Sequence, residues 1–269
     1  MTETTVERDQ TTEETVDRRA LVLGKRTLRP VEVIDGEVKL QRYRTGPRYV
    51  HLLMAVSFTV LFLTGLPLLW EPLSFLAEGG YTRIIHRVAA VGFLAVPPLY
   101  LLVDREGAKE LLRDSFTYDR DDVRWLLNMG RYALGSASQM PPAGRLNAGQ
   151  KLHHALVLIL AAGVVGSGLT LWIVAGDLTD AQLAWSVLVH NLTAGALVLL
   201  TIGHVYFTLV YRAVDRMHTG YISKHAAELE YPKWVEEFEQ ANGASLDAAP
   251  GASPDEDPSA ADDDEGPRA

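Results

Sequence analysis

The chain has 269 residues, of which 48% are apolar, and it contains no cysteine. The lack of cysteine excludes disulfides, thiolate-held iron–sulfur clusters, zinc–thiolate sites and the C-x-x-C-H motif that attaches haem covalently. The formal net charge of −9 is uneven, because residues 1–47 sum to 0, residues 48–213 to +1 and residues 214–269 to −10. The acidic excess therefore belongs to the C-terminal segment, and no nucleic-acid partner is expected.

Both ends of the chain are polar. The first 24 residues lack an apolar core segment and are not predicted to be a signal peptide. Residues 25–47 alternate apolar and polar side chains on both sides of Asp35–Gly36, which predicts a short β-hairpin. Residues 241–269 are rich in Ala, Gly, Pro, Ser and Asp, which predicts a disordered acidic tail.

Four stretches contain no Asp, Glu, Lys or Arg: Tyr49 to Trp70, Val88 to Val103, Leu152 to Gly176 and Ala181 to Tyr211. About 20 apolar residues in helical form cross the hydrocarbon core of a bilayer. The sequence therefore predicts an all-α integral membrane protein, a four-transmembrane-helix bundle with disordered polar termini. The predicted spans are roughly 48–70, 83–104, 149–176 and 182–213.

Basic residues are distributed unequally between the two sides of these spans. Segments 25–48, 104–151 and 212–233 hold 19 Lys and Arg, whereas the opposite loops hold only Arg83 and Arg87. The positive-inside rule then predicts a multi-pass protein of the cell membrane with both termini and the middle loop in the cytoplasm. Amphipathic character over 105–134 predicts short helices on the membrane face. The domain boundaries follow: an N-terminal extension 1–47, a membrane domain 48–213 with a cytoplasmic loop 104–148, a C-terminal motif 214–240 and the tail 241–269.

Histidines are the ionisable residues that stand out in the apolar spans. Six of the eight lie in the spans or at their edges: His51, His86, His153, His154, His190 and His204. Ionisable residues within a membrane are costly and usually functional. The spans hold almost no acids, which argues against a proton-coupled transporter. Imidazole ligands in a chain without cysteine favour haem b held by two histidines.

Spacing along the fourth span indicates two haems. His190 and His204 are 14 residues apart, which places them on one helix face within about 40° and separates them by a rise of about 21 Å. His51 begins the first span on the cytoplasmic side and matches the depth of His204. His86 begins the second span on the opposite side and matches the depth of His190. Arginines beside these histidines are expected to pair haem propionates or to extend to the lipid interface: Arg48, Arg83 and Arg87.

A weak internal repeat offers a rival ligand. It aligns His51, Thr64-Gly65-Leu66 and His86 with His154, Ser167-Gly168-Leu169 and His190. By this alignment His154 competes with His204 as the cytoplasmic ligand. His204 is preferred because it shares a helix face with His190.

Five segments together resemble a known family: RYRTGPRYVHLLMAVSFTVLFLTGLPL, IIHRVAAVGF, RLNAGQKLHH, HNLTAGALVLLTIGH and MHTGYISKHAAELEYPKWVEE. They are similar to the gamma subunit of membrane-bound respiratory formate dehydrogenase, a di-haem cytochrome b of the cytochrome b561-like superfamily. The resemblance covers roughly residues 40–238. Its most specific parts are the His-x13-His pair and the NAGQK segment.

The resemblance implies two haems b and a quinone site. The haem iron ligands would be His51, His86, His190 and His204. Menaquinone would bind on the cytoplasmic side at the NAGQK segment, through Asn147, Gly149, Gln150 and Lys151. This segment is predicted to begin the third span, where the N–H groups of a helix N-terminus favour an anionic oxygen. Asn147 is also a common N-cap residue, and Lys151 is also suited to contact lipid phosphate.

The resemblance also implies an electron-transfer subunit of an oxidoreductase complex, with no catalytic residue of its own. It would receive electrons from an iron–sulfur subunit and reduce menaquinone, while a separate molybdenum or tungsten subunit oxidises formate. The side on which those subunits dock stays open. The alternatives are a cytochrome b subunit of a nickel–iron hydrogenase or thiosulfate reductase-type complex, and a haem-free membrane anchor or small-solute transporter.

Overall fold

The computed structural model describes residues 37–136 and 140–242, together with three short strand segments before them. Most of the predicted N-terminal extension and residues 243–269 of the predicted disordered tail lie outside the described residues. The strand segments are β1 (Val22–Leu23), β2 (Arg26–Thr27) and β3 (Val31–Ile34).

A β-hairpin precedes the first long helix. Strand β4 (Glu37–Gln41) pairs antiparallel with β3, so that Val31 lies opposite Leu40 and Val33 opposite Val38. The predicted hairpin is therefore confirmed. β1 and β2 form a separate two-stranded pair.

The first two long helices form an antiparallel pair. Helix α1 (Thr45–Leu69) has Pro47 in its first turn, where the missing N–H costs nothing. A 3₁₀ turn (Glu71–Leu76) and the left-handed Gly80, with φ of 74°, lead into α2 (Tyr81–Val103). α1 packs chiefly against α2.

Three short helices form the middle loop, as the amphipathic pattern predicts. They are α3 (Arg105–Ser115), α4 (Arg120–Leu127) and α5 (Met129–Ala133). The Asp104 carboxylate accepts the Gly107 N–H at the start of α3, and Asp119 and Asp122 form a capping box at the start of α4.

The second pair of long helices closes the bundle. Helix α6 (Ala148–Leu169) continues through a π-helical turn (Thr170–Val174) and a 3₁₀ turn (Ala175–Asp177), and it packs against α7 (Asp180–Val210). These helices, with α1 and α2, are long and apolar enough to cross a membrane. The predicted four-helix membrane fold is confirmed, and the observed helix ends fall within three residues of the predicted ones, apart from the irregular end of the third span.

The two ends of the described chain meet in one small unit. After α7 come α8 (Ala213–Thr219), β5 (Tyr221–Ser223), α9 (Lys224–Glu230) and α10 (Pro232–Asn242). β5 pairs antiparallel with β4, which places Leu40 opposite Ile222. We call residues 37–44 and 213–242 the terminal module; its apolar core is Leu40, Ile222, Ala227, Tyr231, Trp234, Val235 and Phe238.

Charged contacts fix the terminal module. Arg216 donates two hydrogen bonds to the Glu230 carboxylate, at 2.9 and 2.5 Å, in a buried ion pair. Burial alone would lower the pKa of Arg216, but its bonds to Glu230 raise it on balance. Arg48 of α1 donates to the carbonyls of Met217, at 2.6 Å, and Thr219, at 3.3 Å. The module is therefore tied to the start of the first long helix.

Candidate functional site

Helix α7 contributes one histidine to each of two facing pairs. The ring centres of His51 and His204 are 6.1 Å apart, and those of His86 and His190 are 6.5 Å apart. We call the first the terminal pair, because it lies at the end of the bundle near the terminal module, and the second the distal pair. The structure thus brings together both pairs that the sequence matched by depth.

Both pairs have the separation that a shared iron requires. Metal–imidazole bonds are about 2 Å long, so two rings that coordinate one metal from opposite sides have centres about 6 Å apart. The two rings of each pair are tilted by 50° and 62°. With imidazole as the donor and no thiolate in the chain, each pair fits a haem b iron.

Hydroxyl groups orient both rings of the distal pair. Thr64 Oγ1 lies 2.8 Å from His86 Nδ1, and Ser167 Oγ lies 3.3 Å from His190 Nδ1. The Val164 carbonyl oxygen is also 3.2 Å from His190 Nδ1, so this nitrogen carries the proton and donates. A histidine whose Nδ1–H is held in this way presents its Nε2 lone pair to a metal.

The internal repeat explains this arrangement. Thr64 and Ser167 occupy equivalent positions in the Thr-Gly-Leu and Ser-Gly-Leu segments. A Cβ at Gly168 would lie 3.1 Å from His190 Cε1, and one at Gly65 would lie 3.8 Å from His86 Cε1. In each repeat the hydroxyl lies within hydrogen-bond distance of the imidazole ring. The neighbouring glycine, which has no side chain, leaves space for that ring. Sequence reasoning detected the repeat but did not assign either hydroxyl to a histidine.

The two remaining histidines of the spans lie beside the terminal pair. The His153 ring stacks on that of His204, with centres 5.1 Å apart and planes 14° apart. His154 contacts His153 at 6.0 Å, and its buried Nδ1 has no hydrogen-bond partner within the described residues. Among the described ring contacts, His51 contacts His204 and neither His153 nor His154.

The NAGQK segment begins α6, as predicted, and its two amide side chains form a capping box. Asn147 Oδ1 accepts the Gln150 N–H at 2.9 Å, and Gln150 Oε1 accepts the Asn147 N–H at 3.1 Å. The amide nitrogens donate to hydroxyls, from Asn147 to Tyr132 at 3.2 Å and from Gln150 to Tyr231 at 2.9 Å. Asn147 is only 2% exposed. The segment therefore links the middle loop and the terminal module to α6.

Gly149 and Lys151 are also held by neighbours. The ring of Trp125 covers Gly149 so closely that an added Cβ would lie 2.8 Å from it. The Lys151 ammonium donates to Asp122 at 2.6 Å and to the Thr117 carbonyl at 3.2 Å. The four predicted quinone residues thus share one end of α6, and Lys151 is ion-paired there.

An aromatic cluster beneath this segment was not predicted. Tyr132 stacks on Tyr211 with ring centres 4.1 Å apart, and Trp125 and Phe207 pack on Tyr132 at 4.7 and 5.6 Å. Burial raises the pKa of Tyr132, and it raises that of Tyr211 to about 12. Both hydroxyls therefore stay protonated at neutral pH and act as neutral donors. Their contact spans 79 residues of chain, and no local sequence pattern signals it.

Two sequence comparisons relate this chain to known proteins. The nitrate-inducible formate dehydrogenase cytochrome b556 subunit of Escherichia coli (strain K12) is 22% identical over 202 residues, which cover 72% of this chain and 89% of the relative. The formate dehydrogenase cytochrome b556 subunit of Haemophilus influenzae is 21% identical over 216 residues, covering 76% and 85%. The model of the prokaryotic cytochrome b561 family matches residues 42–220, which include all four long helices and both histidine pairs. The chain belongs to the prokaryotic cytochrome b561 family.

Proposed function

We propose that this chain is the cytochrome b subunit of a formate dehydrogenase-type respiratory complex and passes electrons from an iron–sulfur subunit through two haems b to menaquinone. The observation that carries the proposal is the use of one helix, α7, for one ring of each histidine pair. The names of the relatives favour formate dehydrogenase over the hydrogenase and thiosulfate reductase alternatives.

The four histidines are the proposed iron ligands: His51 and His204 for one haem, His86 and His190 for the other. A bound haem b supplies a centre that takes up and gives up one electron. The rise of about 21 Å between His190 and His204 separates the two ligand sets by most of the bilayer core. The hydroxyls of Thr64 and Ser167 fix the rings of the distal pair before the cofactor binds, which lowers the cost of binding it.

Menaquinone is proposed to bind at the start of α6, beside the terminal pair. The amide nitrogens of Asn147 and Gln150 each carry two N–H donors, of which one bonds to a tyrosine hydroxyl, and the Lys151 ammonium carries three. These groups lie at one helix end, where the helix dipole favours negative charge on a quinone oxygen. The Lys151 ammonium, held by Asp122, is the group from which a proton can be passed, while the hydroxyls of Tyr132 and Tyr231 position the two amides. The protons are proposed to come from the cytoplasm, since the positive-inside rule assigns this end to that side.

Haem content tests the proposal directly. Pyridine haemochrome analysis of the purified full-length chain should give two haems b per polypeptide, because two ligand pairs are present. A chain without haem would contradict the proposed function. A ratio of one would contradict the two-haem assignment.

Loss of either orienting hydroxyl should loosen one haem. We expect Thr64→Val and Ser167→Ala each to speed the transfer of one haem to excess apomyoglobin by about tenfold, the lower end of the range for removing a partner of a metal ligand. The other haem should be retained at the parental rate.

Two matched variants serve as controls. The Thr59 hydroxyl bonds to the Ala55 carbonyl of its own helix, and the Ser186 hydroxyl does the same with Gln182. Thr59→Val and Ser186→Ala should leave both transfer rates unchanged. Equal transfer rates in Thr64→Val and Thr59→Val would refute a role for the hydroxyl.

A further inference from the structure

A buried arginine of the terminal module has no counter-ion among the described residues. Arg42, which directly follows β4, is only 3% exposed, and its guanidinium lies 4.1 Å from the ring centre of Tyr231 and 5.0 Å from that of Trp234. Its Nη2 donates to the Arg145 carbonyl at 2.5 Å, but its Nη1 has no hydrogen-bond partner in the described part of the chain. A buried charge without a partner is costly, so the site calls for an anion.

A second unpartnered atom lies nearby. His154 Nδ1 is buried without a hydrogen bond in the described residues. His154 lies one helical turn beyond Gln150 on the same face of α6, and Gln150 donates to Tyr231, whose ring lies against the Arg42 guanidinium. Arg145 is neutralised by Asp114, at 3.0 Å, and Glu110, at 3.9 Å. Among the described residues, Arg42 therefore provides the positive charge that no carboxylate neutralises. A guanidinium N–H and an imidazole N–H together suit the two oxygens of a carboxylate.

The position of the site indicates where that carboxylate comes from. His154 adjoins His153, whose ring stacks on His204, and His204 faces His51. A haem b carries two propionates on one edge. Arg48, which the sequence offered as a propionate partner, is already bound to the Met217 and Thr219 carbonyls.

We propose that Arg42 and His154 form a carboxylate site that binds one propionate of the haem held by the terminal pair. This inference rests on the proposed function, because it needs a haem between His51 and His204. The Arg42 guanidinium donates Nη1–H to one propionate oxygen, and His154 donates Nδ1–H to the other. Tyr231 and Trp234 lie over the Arg42 guanidinium and exclude water from it, which strengthens its bond to the propionate.

The rate at which haem is lost to apomyoglobin measures the strength of the bond between Arg42 and the propionate. In the full-length protein, Arg42→Met should speed the loss of one haem to apomyoglobin by about tenfold, as expected for removing a charge-assisted hydrogen bond, and leave the other unchanged. Arg42→Lys should keep much of the retention because it keeps the charge. Arg44→Met is the matched control, since Arg44 pairs with Asp104 at 3.2 Å and is two residues away; its rates should equal the parental ones.

Haem dimethyl ester, in which both propionates are blocked, identifies the anion. The parental chain loaded with the ester should lose one haem as fast as Arg42→Met does, and Arg42→Met should add no further loss to the ester-loaded chain. Should Arg42→Met fail to fold, His154→Leu replaces it, with an expected acceleration of about threefold for the same haem, as expected for losing one hydrogen bond from a neutral donor.

The possible outcomes separate the two proposals. If Arg42→Met speeds loss of the ester and of haem b equally, the anion is a lipid phosphate or a solution ion, and the propionate assignment is overturned. Unchanged retention in both Arg42→Met and His154→Leu overturns the site while the two-haem function stands. A parental chain that binds no haem refutes the proposed function itself.

Discussion

Replacing His204 by Ala should remove one haem completely and leave the other in place. The His204 ring is the one that faces His51, with centres 6.1 Å apart, so its loss leaves a single protein ligand at that position. His51→Ala should give the same product. His86→Ala and His190→Ala should instead remove the haem of the distal pair. Pyridine haemochrome content falling from two to one, with one set of b-type absorption bands lost, is the measurement.

His154→Ala distinguishes the ligand assignment from its rival. The internal repeat makes His154 the counterpart of His51, whereas its buried Nδ1 has no hydrogen-bond partner among the described residues. We expect His154→Ala to keep two haems and to release one of them faster. If His154→Ala lacks a haem and His204→Ala keeps both, the repeat identifies the ligand and the preference for His204 is wrong.

Replacing Gln150 or Asn147 by Leu should slow quinone reduction by about tenfold while both haem spectra persist. Each variant removes an amide that donates at the start of α6, and the loss of one hydrogen bond to a developing negative charge is worth about tenfold in rate. Because the haem ligands are untouched, electrons from the natural donor should accumulate on the haems. Stopped-flow oxidation of the reduced chain by a menaquinone analogue measures the effect.

A matched variant controls for the helix stability that these substitutions remove. Asn147 and Gln150 form a capping box whose loss costs about 1 kcal/mol of helix stability. Thr179 and Gln182 form the equivalent capping box at the start of α7, at the opposite end of the bundle. Gln182→Leu removes that box without approaching the proposed quinone site, so its rate of quinone reduction should be parental. Parental rates in Gln150→Leu and Asn147→Leu would place the quinone site elsewhere.

The membrane part of the fold was predictable because a bilayer imposes simple rules. Apolar length fixes the number of spans, and helical rise fixes the depth of each histidine, so the two pairs could be matched before any contact was known. The β3–β4 hairpin was also predictable from local sequence, since Asp35–Gly36 separates two segments of alternating apolar and polar residues. The family model and the formate dehydrogenase relatives confirm the family resemblance seen in the sequence.

Contacts between distant segments were not predictable in the same way. The pairing of β4 with β5 joins Leu40 to Ile222, and no pattern within a short strand of three residues specifies so remote a partner. The Thr64 and Ser167 hydroxyls were visible in the repeat, but which side of each helix faces its neighbour is decided by packing. The burial of Arg42, whose Nη1 has no partner among the described residues, likewise depends on the segments of Arg145 and Tyr231 that pack around it and not on its own sequence neighbours.

The position of α7 determines the order in which the protein matures. His190 and His204 lie on the last of the four long helices, so neither ligand pair exists while the first three spans leave the ribosome. β4 also cannot pair with β5 until β5 has been synthesised, which happens only after α7. If the two pairs are the haem ligands, as proposed, the nascent chain enters the membrane as an apoprotein, and haem can be held by both ligands of a pair only after synthesis of the final span. The terminal module is completed last, when β5 pairs with β4 and joins the segment before the first span to the segment after the last one.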